Sequence, residues 1–354
     1  MSSTDYFRQR IHKSHRGRCG IVAAGTWLED IIKIVDAWPA EEQVAQILET
    51  SRQGGGSAHN LGVDIKRLDP DMPVEAIGLL GHDAAGDFLM QQIQTAGIES
   101  TQIHRTAQTS SSFTDVISDS RTGKRTFFHH RGSSDLLTPE HFDFSKTRGK
   151  ILHLGLLGLH RALDEPWQDE PSGWVAVLKA AREYGLLCNL ELVSIDPRRL
   201  REVVRPCLDL IDLLVINEYE LGALADMPVT GEDLTIDADR VIAAARYVMS
   251  ISGMELLVVH YPQHAIALHK STADEEIRIV QRNSFAVPDS LVAGAVGAGD
   301  AFAAGLLYAV HENWSLDCAL ELAHAVAAAS LRAADTVSAV ESFADCLAFA
   351  RQFK

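Results

Sequence analysis

Short apolar runs alternate with amphipathic segments through the middle and the C-terminal half of the chain. The apolar runs predict buried strands, and the amphipathic segments, two of which end at Gly185 and Gly253, predict helices. This alternation predicts a mostly parallel sheet covered by helices on both faces, with a ligand crevice beyond the carboxyl ends of the strands. The predicted strands are 151–159, 186–192, 210–216, 255–261 and 280–287, and the predicted helices are 174–185, 237–253 and 300–313.

Two regions, around 31–58 and 103–131, interrupt the alternation with polar–apolar patterns of period two. The turn signal Arg121–Thr122–Gly123–Lys124 within the second region predicts a β-hairpin over 112–130. Such a hairpin inserted in an α/β domain forms either a lid over a binding site or an edge decoration of the main sheet. We predict a flexible basic tail over 1–18 and a single domain over 19–354 that carries the inserted strands.

Composition narrows the classes of function. The 354 residues carry a formal net charge of −16, which argues against a nucleic-acid partner because binding to phosphates needs a basic surface. Five scattered cysteines form neither a disulfide framework nor a zinc spacing, which fits a reduced, cytoplasmic setting. The N-terminal segment lacks the apolar core of a secretory signal, and the apolar stretch around 319–334 is too polar for a membrane span.

A glycine-rich stretch, GAVGAGDAFAAG at 294–305, enters the last long predicted helix. The amides of Gly297, Ala298 and Gly299 can converge on an anion, because a helix N-terminus presents free N–H groups. Asp300 then stands where a carboxylate could take a proton from an attacking hydroxyl, and phosphoryl transfer needs this pair of devices. The alternative is a glycine-rich helix entry stabilised by a first-turn Asp.

Asn217 and Glu220 stand at the end of a predicted strand and the start of a helix. Their spacing of three places both side chains on one side of the first turn, where oxygen ligands suit a hydrated Mg²⁺ bound to nucleotide phosphates. The alternative, favoured for this pair taken alone, is that the two residues cap the helix.

Two further segments offer groups for a polar ligand. The glycines Gly54, Gly55 and Gly56 precede Asn60, whose amide both donates and accepts hydrogen bonds. Asp30 follows an apolar strand start and is a candidate to bind a diol. The alternatives are an ordinary loop and a solvent-facing strand residue.

Taken in order, these segments resemble the ribokinase/PfkB carbohydrate kinase family over about residues 19–350. The resemblance implies a three-layer α/β/α core with a small β-sheet lid. The family motifs match at a substrate Asp (Asp30), a GGxxxN stretch (Gly55, Gly56, Asn60), a GxDxxG pattern (Gly81, Asp83, Gly86), NxxE (Asn217, Glu220) and GAGD (Gly297, Ala298, Gly299, Asp300).

The resemblance implies a role for each matched group. Asp300 would be the general base toward a sugar hydroxyl, and the amides of 297–299 would stabilise charge on the γ-phosphoryl group of ATP. Asn217 and Glu220 would support Mg²⁺ through water. Asp30, Gly55, Gly56 and Asn60 would hold the acceptor, a sugar or a nucleoside. The lid would exclude water and, as in relatives, could pair to form a homodimer. His129, His130 and Arg131 end the hairpin and are candidates either to face the acceptor or to lie at the surface.

The departures from the family pattern fall on the nucleotide side. Gly294 and Ala295 replace the Asp-Thr that usually opens the signature, and 260–265, HYPQHA, replaces a glycine-containing loop. His264 and Pro262 therefore stand where ATP is expected to approach. These changes motivate a second hypothesis, a kinase-like protein that binds a sugar or nucleotide without turnover. A dinucleotide oxidoreductase is disfavoured, because no GxGxxG follows the first strand.

Overall fold

The computed structural model describes residues 17–231, 235–270 and 276–353. Most of the predicted basic tail, residues 1–16, therefore lies outside the described residues. In the described part of the chain, no helix is long and apolar enough to cross a membrane.

The larger of two sheets has nine strands in the order β13-β12-β11-β10-β9-β8-β1-β4-β5. All neighbours pair in parallel except β12, which is antiparallel to β11 and β13. The strands are β1 (Ile21–Gly25), β4 (Val74–Gly81), β5 (Glu99–Thr106), β8 (Ile151–Gly155), β9 (Leu187–Leu190), β10 (Leu213–Asn217), β11 (Leu256–Tyr261), β12 (His264–Lys270) and β13 (Ile277–Asn283). The predicted parallel sheet is confirmed, although the predicted strand at 280–287 lies several residues earlier.

Helices cover both faces of this sheet and enclose two apolar cores. One core is formed by α1 (Ser57–Leu68), α2 (Ala84–Thr95), α8 (Ala298–His311), α9 (Leu316–Ser330) and α10 (Phe343–Ala350). The other includes the short α3 (Arg161–Asp164) together with α4 (Gly173–Glu183), α5 (Pro197–Val204), α6 (Glu218–Ala225) and α7 (Ala238–Ser250). The result is the three-layer α/β/α architecture that the resemblance implied.

Four strands form a separate small sheet, with the order β3-β2-β6-β7. They are β2 (Leu28–Val35), β3 (Ile47–Gly55), β6 (Ser112–Asp119) and β7 (Arg125–His130). The hairpin β6–β7 is antiparallel, as its turn signal predicted, and Gly123 supplies the positive φ of 66°. The small sheet exposes large apolar side chains at Trp38, Ile47, Leu48, Phe127 and Phe128. Pairing of two small sheets in a homodimer stays a prediction.

The small sheet is joined to the core by short connections. Strand β2 begins three residues after β1 ends, and β3 runs directly into α1 through Gly56, which has a φ of 87°. Residues from both sheets therefore meet where β1 ends and α1 begins, beside the carboxyl ends of the parallel strands. This is the edge at which a ligand crevice is expected in such a sheet.

Candidate active site

Asp300 lies in the first turn of α8, at the junction of the core and the small sheet. The Nδ2 group of Asn60, in the first turn of α1, donates a hydrogen bond to Asp300 Oδ2 at 2.7 Å. Thr336 Oγ1 in turn donates to Asn60 Oδ1 at 3.0 Å, which fixes the orientation of the amide. The structure thus brings together two of the predicted site residues that are 240 positions apart in the sequence.

The environment of Asp300 favours its protonated form. Burial raises its pKa well above the ordinary value, and the neighbouring Glu191 carboxyl raises it further, whereas the hydrogen bond from Asn60 acts in the opposite direction. Burial likewise raises the pKa of Glu191 to about 7. A carboxylate with a raised pKa is a stronger base, which suits proton abstraction near neutral pH.

The glycine-rich entry to α8 has the geometry of an anion site. Gly297 is the N-cap residue, with a φ of 79° that a residue with a side chain rarely adopts. The first helical bond runs from Ala301 N to Gly297 O, so the N–H groups of Ala298 and Gly299 precede the helical ladder, although Ala298 N makes a long contact of 3.4 Å with Ala295 O. A Cβ atom on Gly297 would come within 2.7 Å of Thr336 O. The backbone here is therefore held close to the segment that orients Asn60.

A polar cavity of about 670 Å³ opens on the small-sheet side of Asp300. Its wall includes Asp30 from β2, Gly54 and His59, and three arginines, Arg52, Arg67 and Arg125. Gly55 is packed so closely against the wall that a Cβ atom there would lie 2.2 Å from Asp30 Oδ2. We call this space the polar cavity.

Asp30 is tied to the small sheet by hydrogen bonds with Thr114 and Gln53. Burial, followed by the charge of Asp300, raises the pKa of Asp30 to about 7. The two carboxyls are thus close enough to sense each other across the cavity. Of the predicted acceptor residues, Asp30 lines the polar cavity, Gly55 packs against Asp30, and Asn60 binds Asp300. The role of Asp30, Gly55, Gly56 and Asn60 in binding an acceptor stays a prediction.

The arginines of the polar cavity differ in their partners. Arg52 forms an ion pair with Glu29, and Arg67 donates to the carbonyls of Ser338 and Val340. Arg125 at the start of β7 reaches across the cavity mouth to Ala334 O at 3.5 Å, a long contact. Its Nη2 atom lies 3.2 Å from the position of a Cβ atom on Gly294. An Asp at position 294 would therefore crowd this guanidinium.

An aromatic cavity of about 440 Å³ lies on the other side of the α8 N-terminus. Ala298, Gly299 and Ala295 line it where the helix begins. Its remaining walls are largely apolar and aromatic, and include Tyr219, His260, Tyr261, Pro262, Phe285, Phe302, His324 and Leu331. Burial lowers the pKa of both His260 and His324 to about 4, so the two imidazoles are neutral at neutral pH.

The loop at 260–265 enters the aromatic cavity only in part. Pro262 lines the cavity, whereas His264 points along the edge hairpin, within hydrogen-bond distance of Asn283 (2.7 Å) and Gln281 (3.1 Å). Strand register explains the difference, because β12 begins at His264 and pairs with Asn283 on β13. His264 therefore does not occupy the space that the sequence pattern assigned to it.

Asn217 and Glu220 form a capping box at the start of α6. Asn217 Oδ1 accepts from Glu220 N at 2.8 Å, and Glu220 Oε2 accepts from Asn217 N at 3.1 Å. Burial raises the pKa of Glu220 to about 7. Among the described residues, no group of three or more His, Cys, Asp or Glu side chains has the arrangement of a metal site. The pair therefore fits Mg²⁺ only as an outer partner, through water and alongside phosphate oxygens.

Two other sequence candidates serve the architecture. Asp83 caps α2 by accepting from Gly86 N at 2.8 Å, and it also accepts from Ser111 N at 2.7 Å just before β6. The GxDxxG motif thus joins the core to the small sheet. At the end of β7, His129 contacts Thr114 at 3.1 Å, whereas Arg131 lies 3.8 Å from Asp135 and points away from the polar cavity.

The structure also adds residues that the motifs did not indicate, above all Glu191, His153 and Thr114. His153 Nε2 lies 2.8 Å from Glu191 Oε2, directly behind Asp300. The available signal was a polar residue inside an apolar run, the His of ILHLG and the Glu that follows LCNL. Polar and charged residues are uncommon in buried strands, which makes these two candidates for a function.

The fold and the site together define a ribokinase-like protein with two cavities that meet at a helix N-terminus. The pfkB family carbohydrate kinase model matches residues 21–342, and the chain belongs to this family. Its relatives and structural neighbours are carbohydrate and nucleoside kinases, which transfer a phosphoryl group to an alcohol, and the chain is an enzyme of this class.

Individual relatives give a closer comparison. The chain is 27% identical to an ATP-dependent ribose-1-phosphate kinase of Halopiger xanaduensis, over 91% of this chain and 97% of the relative. It is 27% identical to an aminoimidazole riboside kinase of Salmonella typhimurium, over 80% of this chain and 82% of the relative. The ribokinase of Arabidopsis thaliana, solved with ribose and ATP, superposes with a TM-score of 0.76 at 18% identity, covering 94% of this chain and 99% of that chain.

Proposed function

We propose that this kinase transfers the γ-phosphoryl group of ATP to a hydroxyl of a sugar or sugar-like acceptor, with Asp300 as the general base. The observation that carries the proposal is the position of Asp300 in the first turn of α8, an N-terminus where Ala298 and Gly299 line the aromatic cavity and Val296 lines the polar cavity. Phosphoryl transfer needs a base beside the acceptor hydroxyl. It also needs hydrogen-bond donors, here those of the helix N-terminus, beside the transferred phosphoryl group.

In the proposed reaction, Asp300 takes the proton of the acceptor hydroxyl as its oxygen bonds to the γ-phosphorus. The bond between that phosphorus and the β,γ-bridging oxygen breaks, and ADP leaves with the electron pair. The N–H groups at 297–299 stabilise the charge on the transferred group, since donors held in place need no reorganisation. Asn60 holds the Asp300 carboxyl by its 2.7 Å hydrogen bond.

The aromatic cavity is the proposed nucleotide site. Aromatic and apolar walls suit a planar base, and its inner end opens on the α8 N-terminus where phosphates would lie. Asn217 and Glu220 would support Mg²⁺ through water, and the ion would neutralise charge on the phosphate oxygens. The capping box holds both side chains in place for this role.

The polar cavity is the proposed acceptor site, with Asp30 in its wall and with Gly55, Gly56 and Asn60 as further groups that would hold the acceptor beside Asp300. Its volume of about 670 Å³ exceeds what a free pentose needs, and Arg125 stands at its mouth without a close contact to a carboxylate of the described residues. A guanidinium in that position suits an acceptor that already carries a phosphate. The similarity to a ribose-1-phosphate kinase supports the same class of acceptor.

The proposal is tested by measuring ADP release with a panel of free pentoses and hexoses, their phosphate esters, and nucleosides. We expect turnover with at least one acceptor, and we expect Asp300→Asn to lower kcat about 100- to 10,000-fold while folding is retained. The exposed Asp317→Asn, on the neighbouring helix α9, is the matched control and should leave kcat unchanged. Full turnover by the Asp300→Asn variant would show that Asp300 is not the general base.

A second candidate function is ligand binding without turnover. It is motivated by Gly294 and Ala295, which lack the carboxylate and the hydroxyl of the family signature near the phosphates. Its signature would be a ligand-dependent rise in Tm with the same panel and no ADP release from any combination of donor and acceptor.

A further inference from the structure

Glu191 and His153 lie behind Asp300 on two neighbouring core strands. His153 is on β8 directly opposite Asn189 on β9, and Glu191 follows the end of β9. His153 is fully buried, and its Nε2 atom lies 2.8 Å from Glu191 Oε2. Burial raises the pKa of both the Asp300 and the Glu191 carboxyl, and the hydrogen bond between them raises the pKa of Asp300 further and lowers that of Glu191, so the shared proton rests on Asp300. The base is thus one member of a chain of polar groups that runs into the core.

The hydrogen bond at the inner end of this row of polar groups determines which atoms donate and which accept. Asn189 Nδ2 lies 3.0 Å from His153 Nδ1 and donates to it, so the ring carries its proton on Nε2, facing Glu191. At the outer end, Asn60 Nδ2 donates to Asp300 Oδ2. A donor therefore closes the outer end of the carboxyl pair, the His153 Nε2–H group faces its inner end, and the hydrogen bond between the two carboxyls needs one proton of its own.

The contact between His153 and Glu191 is close but not linear, and neither His153 Nε2 nor Glu191 Oε2 has an aligned partner among the described residues. Buried polar atoms without an aligned partner are uncommon and call for an explanation. Burial also lowers the pKa of His153 to about 4, which keeps the ring neutral and leaves the bridging proton to the carboxyls.

We propose that Glu191 is a positioning residue for Asp300: the two carboxyls share one proton, which passes to Glu191 when Asp300 acts as base, so that Glu191 then donates a hydrogen bond to the Asp300 carboxylate while His153 faces Glu191 from behind. The inference rests on the proposed function of Asp300 as general base. With the bridging proton on Glu191, the free oxygen of Asp300 is held toward the acceptor. During the reaction Asp300 gains the hydroxyl proton, so the pair passes from one proton to two, and solvent takes the second proton after product leaves.

The proposal predicts a dependence on pH that a packing role would not give. When Glu191 loses the bridging proton, the two carboxylates repel each other and Asp300 is no longer held, so kcat falls on the alkaline side. The titratable groups that face the pair are His153 and Glu220 toward Glu191, and Asp30, Asp64 and His153 toward Asp300.

Substitutions at position 191 separate a hydrogen-bond donor from a titrating group. Glu191→Gln keeps a donor toward Asp300 but cannot ionise, so kcat near pH 6 should stay within about threefold of wild type and the alkaline limb should disappear. Glu191→Leu removes the donor and should lower kcat about 10- to 100-fold with little change in the KM of the acceptor. His153→Gln, which still donates, should retain more activity than His153→Leu.

The chain offers a matched control at the other end of the same helix. His311 Nδ1 lies 2.8 Å from Glu312 Oε1, the same separation as in the pair behind Asp300. Glu312 is about 18 Å from Asp300 along α8, at 1.5 Å per residue. Glu312→Gln and Glu312→Leu should leave kcat and its pH profile unchanged.

Infrared spectroscopy tests the shared proton without turnover. The difference between wild type and Glu191→Gln at pH 7, without nucleotide, should contain the carbonyl band of one protonated carboxyl that shifts in D₂O. If the wild type turns over and Glu191→Leu has an unaltered kcat, or if the alkaline limb survives in Glu191→Gln, the positioning role is overturned. The proposed function of Asp300 would then still stand. If no donor and acceptor give turnover, the proposed function fails, and the presence or absence of the band still decides the carboxyl pair.

Discussion

The polar cavity and the aromatic cavity lie on opposite sides of one helix N-terminus and differ in how they are built. The polar cavity has walls from the small sheet, which carries Asp30 and Arg125, and from helices and loops of the core. The aromatic cavity has walls from the core alone, chiefly β11, α8 and α9, and its imidazoles are neutral. The polar cavity therefore depends on the position of the small sheet relative to the core, and the aromatic cavity is fixed by the packing of the core alone.

The difference teaches where selectivity is expected. A site that binds hydroxyls with buried polar groups rejects a ligand that leaves those groups unpaired, whereas an apolar slot discriminates weakly between ligands of similar shape. Asp30 and Asn60 supply such groups on the acceptor side. We therefore expect a narrow choice of acceptor and a more permissive choice of nucleotide base. Four substitutions test this contrast, in order of decreasing effect.

The largest effect is expected at the boundary that both cavities share. Gly297→Ala would place a Cβ atom 2.7 Å from Thr336 O at a positive φ, which displaces the amides that receive the phosphoryl group. Loss of one such donor lowers kcat about 100- to 1000-fold. Gly97→Ala is the matched control for a methyl group at a positive φ, since Gly97 has a φ of 71° and its Cβ atom would meet Lys66 Cε at an ordinary 3.6 Å, far from either cavity. Steady-state kinetics on both variants, with Tm as a check of folding, decide the point.

On the acceptor side, Arg125→Gln should raise the KM of a phosphorylated acceptor about 10- to 100-fold and leave the KM of ATP unchanged, since a charge-assisted hydrogen bond is lost. Arg246→Gln, on the exposed surface of α7, is the control. If an unphosphorylated acceptor is the better substrate and responds equally to Arg125→Gln, the guanidinium does not read a phosphate.

On the nucleotide side, Tyr219→Ala should raise the KM of ATP about three- to tenfold by removing an aromatic wall, with the acceptor KM unchanged. Tyr219 is 46% exposed, so its truncation should cost little stability. Tyr247→Ala on α7, with 39% exposure, is the matched control. A larger effect on the acceptor KM than on that of ATP would show that the two cavities are not separate.

The smallest effect is on stability. The folded pKa of Asp30, about 7, lies above the unfolded value of 3.8, so between these two values the folded state keeps a proton that the unfolded chain has lost. Stability therefore falls as pH rises through this window. Asp30→Asn removes the effect and should raise Tm by about 2 to 4 °C at pH 8, and by much less at pH 4. A rise of equal size at both pH values would assign it to packing.

The parts of the site that could be predicted from the sequence are those that lie in contiguous motifs. The glycine entry to α8, the capping residues of α6 and the segment from Gly54 to Asn60 are local, because turn geometry and helix capping are read from neighbouring positions. The alternation of strands and helices predicted the layers for the same reason.

The rest of the site depends on which strands become neighbours. Glu191 and His153 meet because β8 and β9 pair in one register, and neither residue belongs to a motif. The same limit explains His264, whose direction follows from the pairing of β12 with β13. Arg125 could not be predicted either, since it contacts Ala334, which lies 209 positions further along the sequence and outside the small sheet. Register and contacts between layers are set by tertiary packing, which one sequence does not encode locally.

Asp30 is carried by the small sheet and Asp300 by the core, and only Thr26 and Trp27 join β1 to β2. Any rotation of one sheet relative to the other therefore changes the separation of the two carboxyls, which bracket the proposed acceptor. Acceptor binding and sheet closure are then linked equilibria with one coupling free energy, and the coupling is reciprocal. A ligand that favours closure of the small sheet must raise the affinity for the acceptor. The acceptor must in turn shift the closure equilibrium by the same factor.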